Sequence, residues 1–154
     1  MDNIITQEGG YVNDKLDKGG ETIWGISKKH NPDAWKNGPP SEEEARAIYL
    51  QKYVVGPGFH LIPPSHRMTQ AQLIDFFVLS GYQATKNLQE ILGVEADGMF
   101  GQQTLKALTG TDDKSLNNLL MIARAKMIGR IVKRDPSQVK FISGWLDRVF
   151  SFFR

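Results

Sequence analysis

Two carboxylates and a hydroxyl lie close together near the start of the 154-residue chain. Glu8 precedes a glycine pair, Asp17 follows nine residues later, and Thr22 follows five residues after Asp17. Hydrolysis of a glycosidic bond needs one carboxylic acid that protonates the leaving oxygen, and a second group that stabilises the sugar cation or directs water. A short helix ending at Glu8, with a glycine-rich hairpin folded back over it, would place all three groups on one side of a cleft. We therefore regard them as candidate catalytic residues.

Glu8 can act as the acid only if it stays protonated near neutral pH, which half-buried apolar surroundings favour. Tyr11 and Trp24 are nearby side chains that could provide them. The spacing alone leaves other readings open, because Asp17 beside a glycine pair could simply cap a turn. A calcium site at Asp14 and Asp17 is disfavoured, since the stretch lacks the dense alternating acids and closing glutamate of an EF-hand loop. We expect no metal and no cofactor.

The remaining pattern predicts a mainly helical protein around one small hairpin within residues 14–25. Ser41 and Glu44 form a capping-box pattern that opens a helix through about Tyr53. Apolar periodicity predicts further helices near residues 73–78 and over 83–92, 104–108, 116–134 and 138–153. The following residues of the long helix are expected to form its apolar face: Leu119, Leu120, Ile122, Ala123, Met127 and Ile131.

Composition fits one compact domain or two small lobes, with 40% hydrophobic and 23% charged residues. There is no cysteine, which excludes disulfides and thiolate metal sites. No apolar run approaches the roughly 20 residues of a membrane span. The first residues lack the basic and apolar segments of a signal peptide, so we expect synthesis in a cytoplasm without an export route of its own. Residues 112–154 carry nine basic and four acidic side chains, which suits an anionic partner or a solvated helix face.

The N-terminal segment resembles the signature of glycoside hydrolase family 108, which comprises bacterial and phage N-acetylmuramidases. The family pattern is Glu-Gly-Gly, an Asp before Gly-Gly-x-Thr, and then Gly-Ile. The matching residues here are Glu8-Gly9-Gly10, Asp17, Gly19-Gly20-Glu21-Thr22 and Gly25-Ile26. The order is also similar to T4-type phage lysozymes, with the same Glu-to-Asp spacing and one residue fewer from Asp to Thr. The resemblance implies a lysozyme-like α+β fold with Glu8 as general acid, and it favours an inverting course.

The middle of the chain is similar to the same family, with departures. Tyr49 and Tyr53 match its helix ending in paired tyrosines, for which core packing is the simpler account. Its Phe-Asp…Asn-x-Gly segment corresponds to the region of Asp75 and Gly81, but Asp75 precedes its Phe, and Ser80 or Leu79 replaces the usual Asn. With Tyr11 and Trp24, Ser80 is a candidate substrate-binding residue that could replace only part of the Asn.

Residues 88–108 resemble a peptidoglycan-binding helical motif, Leu-Gln…Leu-Gly…Asp-Gly-x-Phe-Gly-x-x-Thr. Asp97-Gly98 would make its turn, and the segment could serve as scaffold or contact glycan directly. Gly144-Trp145-Leu146-Asp147-Arg148-Val149 is similar to the closing motif of family 108. We expect a catalytic lobe over residues 1–85 and a peptidoglycan-binding-like lobe over 86–154, packed as one unit. Aromatic and basic residues of the last helix could pack in the core or contact an anionic membrane weakly.

The resemblance implies a peptidoglycan hydrolase of the endolysin type, which cleaves the β-1,4 bond between N-acetylmuramic acid and N-acetylglucosamine. We expect a monomer that binds no nucleic acid and remains in a host cytoplasm until it is released to the wall. Two alternatives stay open. The first is a lytic transglycosylase that uses Glu8 alone, which the presence of Asp17 and Thr22 disfavours. The second is a non-catalytic module that binds the wall or assists secretion.

Overall fold

The computed structural model describes Tyr11 and residues 20–154. The first described elements are two short strands, β1 (Thr22–Ile23) and β2 (Ile26–Ser27), which pair antiparallel. After them the fold is helical: α1 (Glu42–Leu50), α2 (Arg67–Ser80), α3 (Tyr82–Leu92), α4 (Gln102–Thr109), α5 (Asp113–Arg134) and α6 (Ile142–Phe150). This confirms the predicted mainly α fold with one small N-terminal hairpin.

The chain divides into two compact units, Met1–Lys52 and Tyr53–Arg154. In the N-terminal unit, a 3-10 turn over Pro32–Trp35 follows the hairpin. The Trp35 ring is buried there, and its Nε1 donates a hydrogen bond to the carbonyl oxygen of Ile26 at 3.3 Å. This bond ties the loop after the hairpin back to β2. The predicted boundary at residue 85 separates a catalytic lobe from a peptidoglycan-binding-like lobe by function, and it stays a prediction.

The predicted capping box at the start of α1 is present. The Glu44 amide donates to the Ser41 hydroxyl at 3.2 Å, and the Ser41 amide donates to the Glu44 carboxylate at 2.7 Å. These two bonds satisfy amides that a helix start otherwise leaves without partners. The α-helix ends at Leu50, three residues before the predicted end, and continues as a π-helical turn over Gln51–Val55.

In the C-terminal unit, α2 packs against both α3 and α5 around a core of aromatic and aliphatic side chains. Its largest fully buried members are Phe59, Phe76, Leu73, Leu88, Leu108, Leu116 and Leu120. The carboxylate of Asp113, at the start of α5, accepts from the amides of Met68 and Thr69 at 3.1 and 2.9 Å. A residue far away in sequence thus caps α2, whose own N-cap residue, His66, makes no side-chain capping bond.

The predicted apolar face of α5 is partly wrong. Leu119 and Ile122 are about half exposed, at 45% and 50% of their maximal surface. The buried stripe instead comprises Leu116, Asn117, Leu120, Met121, Arg124 and Ile128. Two of its members are polar because they find partners inside the protein: Asn117 donates to the carbonyl of Phe152, and Arg124 donates to Asp75. A stripe chosen by apolarity alone misses both.

The last helix is also shorter than predicted. Residues 136–141 form a 3-10 segment, and the α-helix covers only Ile142–Phe150. Asp135 caps the 3-10 segment by accepting from the Ser137 amide at 3.1 Å, and Pro136 occupies its first turn. Among the residues that the structure describes, no helix is long and apolar enough to cross a membrane.

Candidate functional site

The turn of the hairpin holds a tryptophan in an unusual backbone conformation. Ile23 pairs with Ile26, so Trp24 and Gly25 form a two-residue turn, with φ angles of 52° and 72°. Positive φ at both central residues is the signature of the type I′ turn, which matches the twist of a hairpin. Glycine adopts this conformation freely, whereas a bulky side chain does so at a cost of about 1–2 kcal/mol. Outliers of this kind are concentrated at functional sites.

Thr22, a predicted catalytic residue, lies in β1 opposite Ser27 and is half-buried. Its hydroxyl donates to the carbonyl oxygen of Gly20 at 3.3 Å. This bond uses the hydroxyl proton, and the oxygen retains lone pairs that can accept a bond from a water or a sugar hydroxyl. Thr22 thus lies in the first strand of the hairpin whose turn holds Trp24.

An ion pair that the sequence did not reveal lies beside Thr22. The Glu21 carboxylate accepts from the Lys28 ammonium at 2.6 Å and from the Tyr11 hydroxyl at 2.8 Å. The hydrogen bonds from Lys28 and Tyr11 lower the pKa of Glu21, which is therefore ionised at neutral pH. Tyr11, a predicted substrate-binding residue, keeps about half of its surface exposed. The pair of opposite charges on the two arms of the hairpin was the available signal in the sequence.

Glu8 and Asp17 lie outside the described residues, as do the predicted helix over residues 3–7 and Asp14. Their roles stay predictions. Within Tyr11 and residues 20–154, no three His, Cys, Asp or Glu side chains are placed to hold a metal ion.

Ser80, the third predicted substrate-binding residue, belongs to the C-terminal unit and ends α2. Its hydroxyl donates to the carbonyl oxygen of Phe76 at 2.8 Å, one helical turn back. Gly81 follows with φ 55° and ψ −140°, a conformation open essentially only to glycine, and it separates α2 from α3. The Ser80 oxygen can accept a further bond but has no second donor, so it cannot replace an Asn amide fully.

Asp75 has a role that the sequence did not reveal. One carboxylate oxygen accepts from Arg124 at 2.6 Å, and the other accepts from Arg148 at 2.9 Å. The carboxylate thus joins α2 to α5 and α6. Burial lowers the pKa of Arg124 although Asp75 acts in the opposite direction. The signal was an acid within an apolar helix, but its partners lie 49 and 73 residues away, beyond the reach of local patterns.

Gln89 is the centre of the predicted Asp97-Gly98 turn. The two protons of its buried amide nitrogen are shared among three acceptors, namely Asp97, Thr104 and the Met99 carbonyl oxygen, and its own oxygen accepts from the Gly98 amide at 2.8 Å. Hydrogen bonds from Met99 and Gln89 lower the pKa of Asp97. These bonds give the motif a structural role; direct glycan contact stays a prediction.

Comparison with known proteins gives two family matches. Residues 1–81 match the family described as glycosyl hydrolase 108, and residues 83–150 match a predicted peptidoglycan domain. Among solved structures, SagA of Brucella abortus is similar, with 28% sequence identity and a TM-score of 0.64. That alignment covers 100% of this chain and 93% of the other. No curated protein sequence matches the chain.

The first match spans more than half of the 154 residues and contains Glu8, Asp17 and Thr22. The resemblance inferred from the sequence is thereby confirmed, and it supports a hydrolase that acts on glycosides and is related to peptidoglycan. The chain belongs to glycosyl hydrolase family 108, and a peptidoglycan-type domain makes up its C-terminal part.

Proposed function

We propose that the protein is a muramidase, which hydrolyses the β-1,4 bond between N-acetylmuramic acid and N-acetylglucosamine in peptidoglycan. The observation that carries the proposal is the occurrence of the family 108 match and the peptidoglycan-domain match in one short chain. A glycosidase joined to such a domain has its natural substrate in the glycan strands of the cell wall. Glu8 is the proposed general acid, because glycosidic cleavage begins with protonation of the leaving oxygen.

Asp17 and Thr22 are the proposed partners of Glu8. Asp17 would stabilise the charge that develops on the sugar or activate water. For Thr22, the hairpin supports a positioning role, because its hydroxyl proton is already engaged by Gly20 and its oxygen can orient a water. The neighbouring Glu21 is kept ionised by its ion pair with Lys28, so it is not the proposed proton donor.

Three further residues are proposed to contact the substrate. Trp24 supplies an aromatic face, and its strained backbone supports a functional reason for keeping a tryptophan in a turn that favours Asn or Gly. Tyr11 offers an exposed ring. Ser80 offers a hydroxyl oxygen at the end of α2.

The proposed biological setting is bacterial lysis by an endolysin that is released from a host cytoplasm to the wall. In this setting residues 1–85 act as the catalytic lobe, residues 86–154 act as the wall-related lobe, and the enzyme works as a monomer. Weak contact of the last helix with an anionic membrane belongs to the same proposal. Residues 112–154 carry the basic excess that such contact requires.

The test is mass analysis of the fragments released from purified sacculi. Hydrolysis leaves a free reducing end on N-acetylmuramic acid, whereas a lytic transglycosylase leaves an anhydro-sugar lighter by one water. We expect only the hydrolysed form, and its absence in a folded Glu8→Gln variant. Anhydro-products would replace the proposal with the transglycosylase. Binding to sacculi without any released fragment would replace it with a non-catalytic wall-binding module.

A further inference from the structure

A small cavity lies in the C-terminal unit between α5 and α6, with the end of α2 at its edge. Its volume is about 200 Å³. The walls are mostly aliphatic and aromatic: Met127, Ile128, Ile131 and Trp145 from α5 and α6, with Phe76 and Leu79 from α2. Leu79 also keeps 56% of its surface exposed, which places it at the mouth. The mouth of the cavity therefore lies beside Leu79, the residue that precedes Ser80 in α2.

The polar part of the cavity lining is positively charged. Arg124 and Arg148 both line it, and both donate to the single carboxylate of Asp75. Two guanidinium groups thus share one compensating charge, which leaves a net charge of +1. Arg148 binds Asp75 through Nε and Nη2, and 31% of its side-chain surface remains exposed. Its Nη1 makes no hydrogen bond to an acceptor within residues 20–154, so a further anion can bind there.

The size of the cavity limits what can enter it. It is somewhat larger than the roughly 150 Å³ cavity that holds a benzene molecule, and smaller than the roughly 300 Å³ at which pockets for drug-sized ligands begin. A disaccharide is too large. A single residue with a small apolar side chain and a carboxylate fits in volume, polarity and charge, because its methyl group would contact the walls and its carboxylate would meet Arg148.

We propose that this cavity binds the carboxyl-terminal alanine of a peptidoglycan stem peptide, with its carboxylate on Arg148 and its methyl group against Trp145 and Ile131. The proposal rests on the proposed peptidoglycan substrate and deepens it, because it assigns recognition of the peptide to the C-terminal unit. Most of the lining residues lie within the segment that matches the peptidoglycan domain. The site would bind the cell wall through its stem peptide, and the N-terminal unit would act on the glycan strand.

The test is a titration of the full-length, isotope-labelled protein with the pentapeptide L-Ala-γ-D-Glu-L-Lys-D-Ala-D-Ala, followed by NMR. We expect shifts of the Trp145 indole N–H and the Arg148 Nε–H resonances. The matched probe is the same peptide as its C-terminal amide, which we expect to bind at least about tenfold more weakly because it lacks the charged acceptor. Equal binding of acid and amide would overturn the assignment to the carboxylate.

A variant at the mouth tests the same charge and leaves Arg124 and Arg148 unchanged. Leu79 is exposed, so Leu79→Glu should fold normally, as its circular dichroism spectrum would verify. We expect it to bind the pentapeptide at least about threefold more weakly than Leu79→Gln, because it places a like charge at the entrance. Equal binding by the two variants would overturn the site. Octanoate that shifts these resonances while the pentapeptide does not would assign the cavity to a lipid acid instead. Loss of hydrolysis in Glu8→Gln leaves this binding unchanged, so the two proposals fail separately.

Discussion

Replacement of Asp75 by Asn should destabilise the protein more than any exposed charge change in the described residues. Asp75 and Arg124 expose only 12% and 3% of their side chains, and Arg124 lies over the rings of Phe76 and Phe152 at 5.1 and 5.5 Å. The Nη1 atom of Arg124 makes no hydrogen bond within residues 20–154. The positive charge of Arg124 is compensated by its ion pair with Asp75. Asn keeps the shape but removes the charge that two guanidinium groups share.

Removal of one member of a buried ion pair costs about 3–5 kcal/mol, because it leaves an uncompensated charge in a medium that solvates it poorly. Stabilities of single domains are about 5–15 kcal/mol, so the loss is a large part of the total. For a protein of this size about 2–4 °C of melting temperature corresponds to each kcal/mol. We therefore expect Asp75→Asn to melt about 6–20 °C below the wild type.

The assay is urea and thermal unfolding followed by far-ultraviolet circular dichroism. The matched control is Asp33→Asn, because Asp33 pairs with Lys36 at 2.7 Å while 87% of its side chain is exposed. We expect the control to unfold within error of the wild type, since exposed pairs contribute little. If Asp75→Asn loses less than about 1 kcal/mol, the reasoning that Asp75 compensates buried Arg124 is refuted.

Three further predictions concern single features of the structure. Gln89→Leu should lower the free energy of unfolding by about 1–3 kcal/mol, because the buried Gly98 amide loses its acceptor; unchanged urea unfolding would contradict this. Trp24→Asn suits the type I′ turn, so we expect stability no lower than that of the wild type but at least about tenfold slower digestion of sacculi. Full activity would remove Trp24 from the site. Hydrogen bonds lower the pKa values of Glu44 and Asp97 in the folded protein below their ordinary values of 4.5 and 3.8. The two carboxylates therefore stabilise the fold fully above those ordinary values, and this stabilisation is lost as the pH falls through the lowered pKa values. Thermal unfolding at pH 5 and pH 2.5 measures the loss, and equal stability at the two pH values would contradict it.

The helices of the chain could be predicted because their signals are local. The Ser41 cap with Glu44 three residues later marks the start of α1, and the Asp97-Gly98 turn with Gly101 marks the start of α4. The class of the fold follows from the same signals. The spacing of carboxylates and glycines left the type of chemistry open, and the resemblance of that segment to glycoside hydrolase family 108 is what predicted it.

Features that depend on distant partners could not be predicted. Arg124 is buried on α5 beside Asp75, which lies 49 residues earlier and supplies a countercharge. The apolar pattern therefore missed Arg124 and included the exposed Leu119 and Ile122. The start of α2 is capped by Asp113, more than 40 residues later. The strained turn at Trp24 was hidden for another reason: propensity disfavours a tryptophan at positive φ, so local rules do not anticipate it.

The most direct test of the central claim is the rate at which Glu8→Gln releases reducing ends from purified sacculi. The matched control is Glu43→Gln, an exposed glutamate on α1 outside the proposed site. Loss of a general acid costs about a hundredfold or more, so we expect the Glu8 variant to fold normally and lose at least that factor while the control keeps full activity. A folded Glu8→Gln protein that releases reducing ends at the wild-type rate would contradict the account.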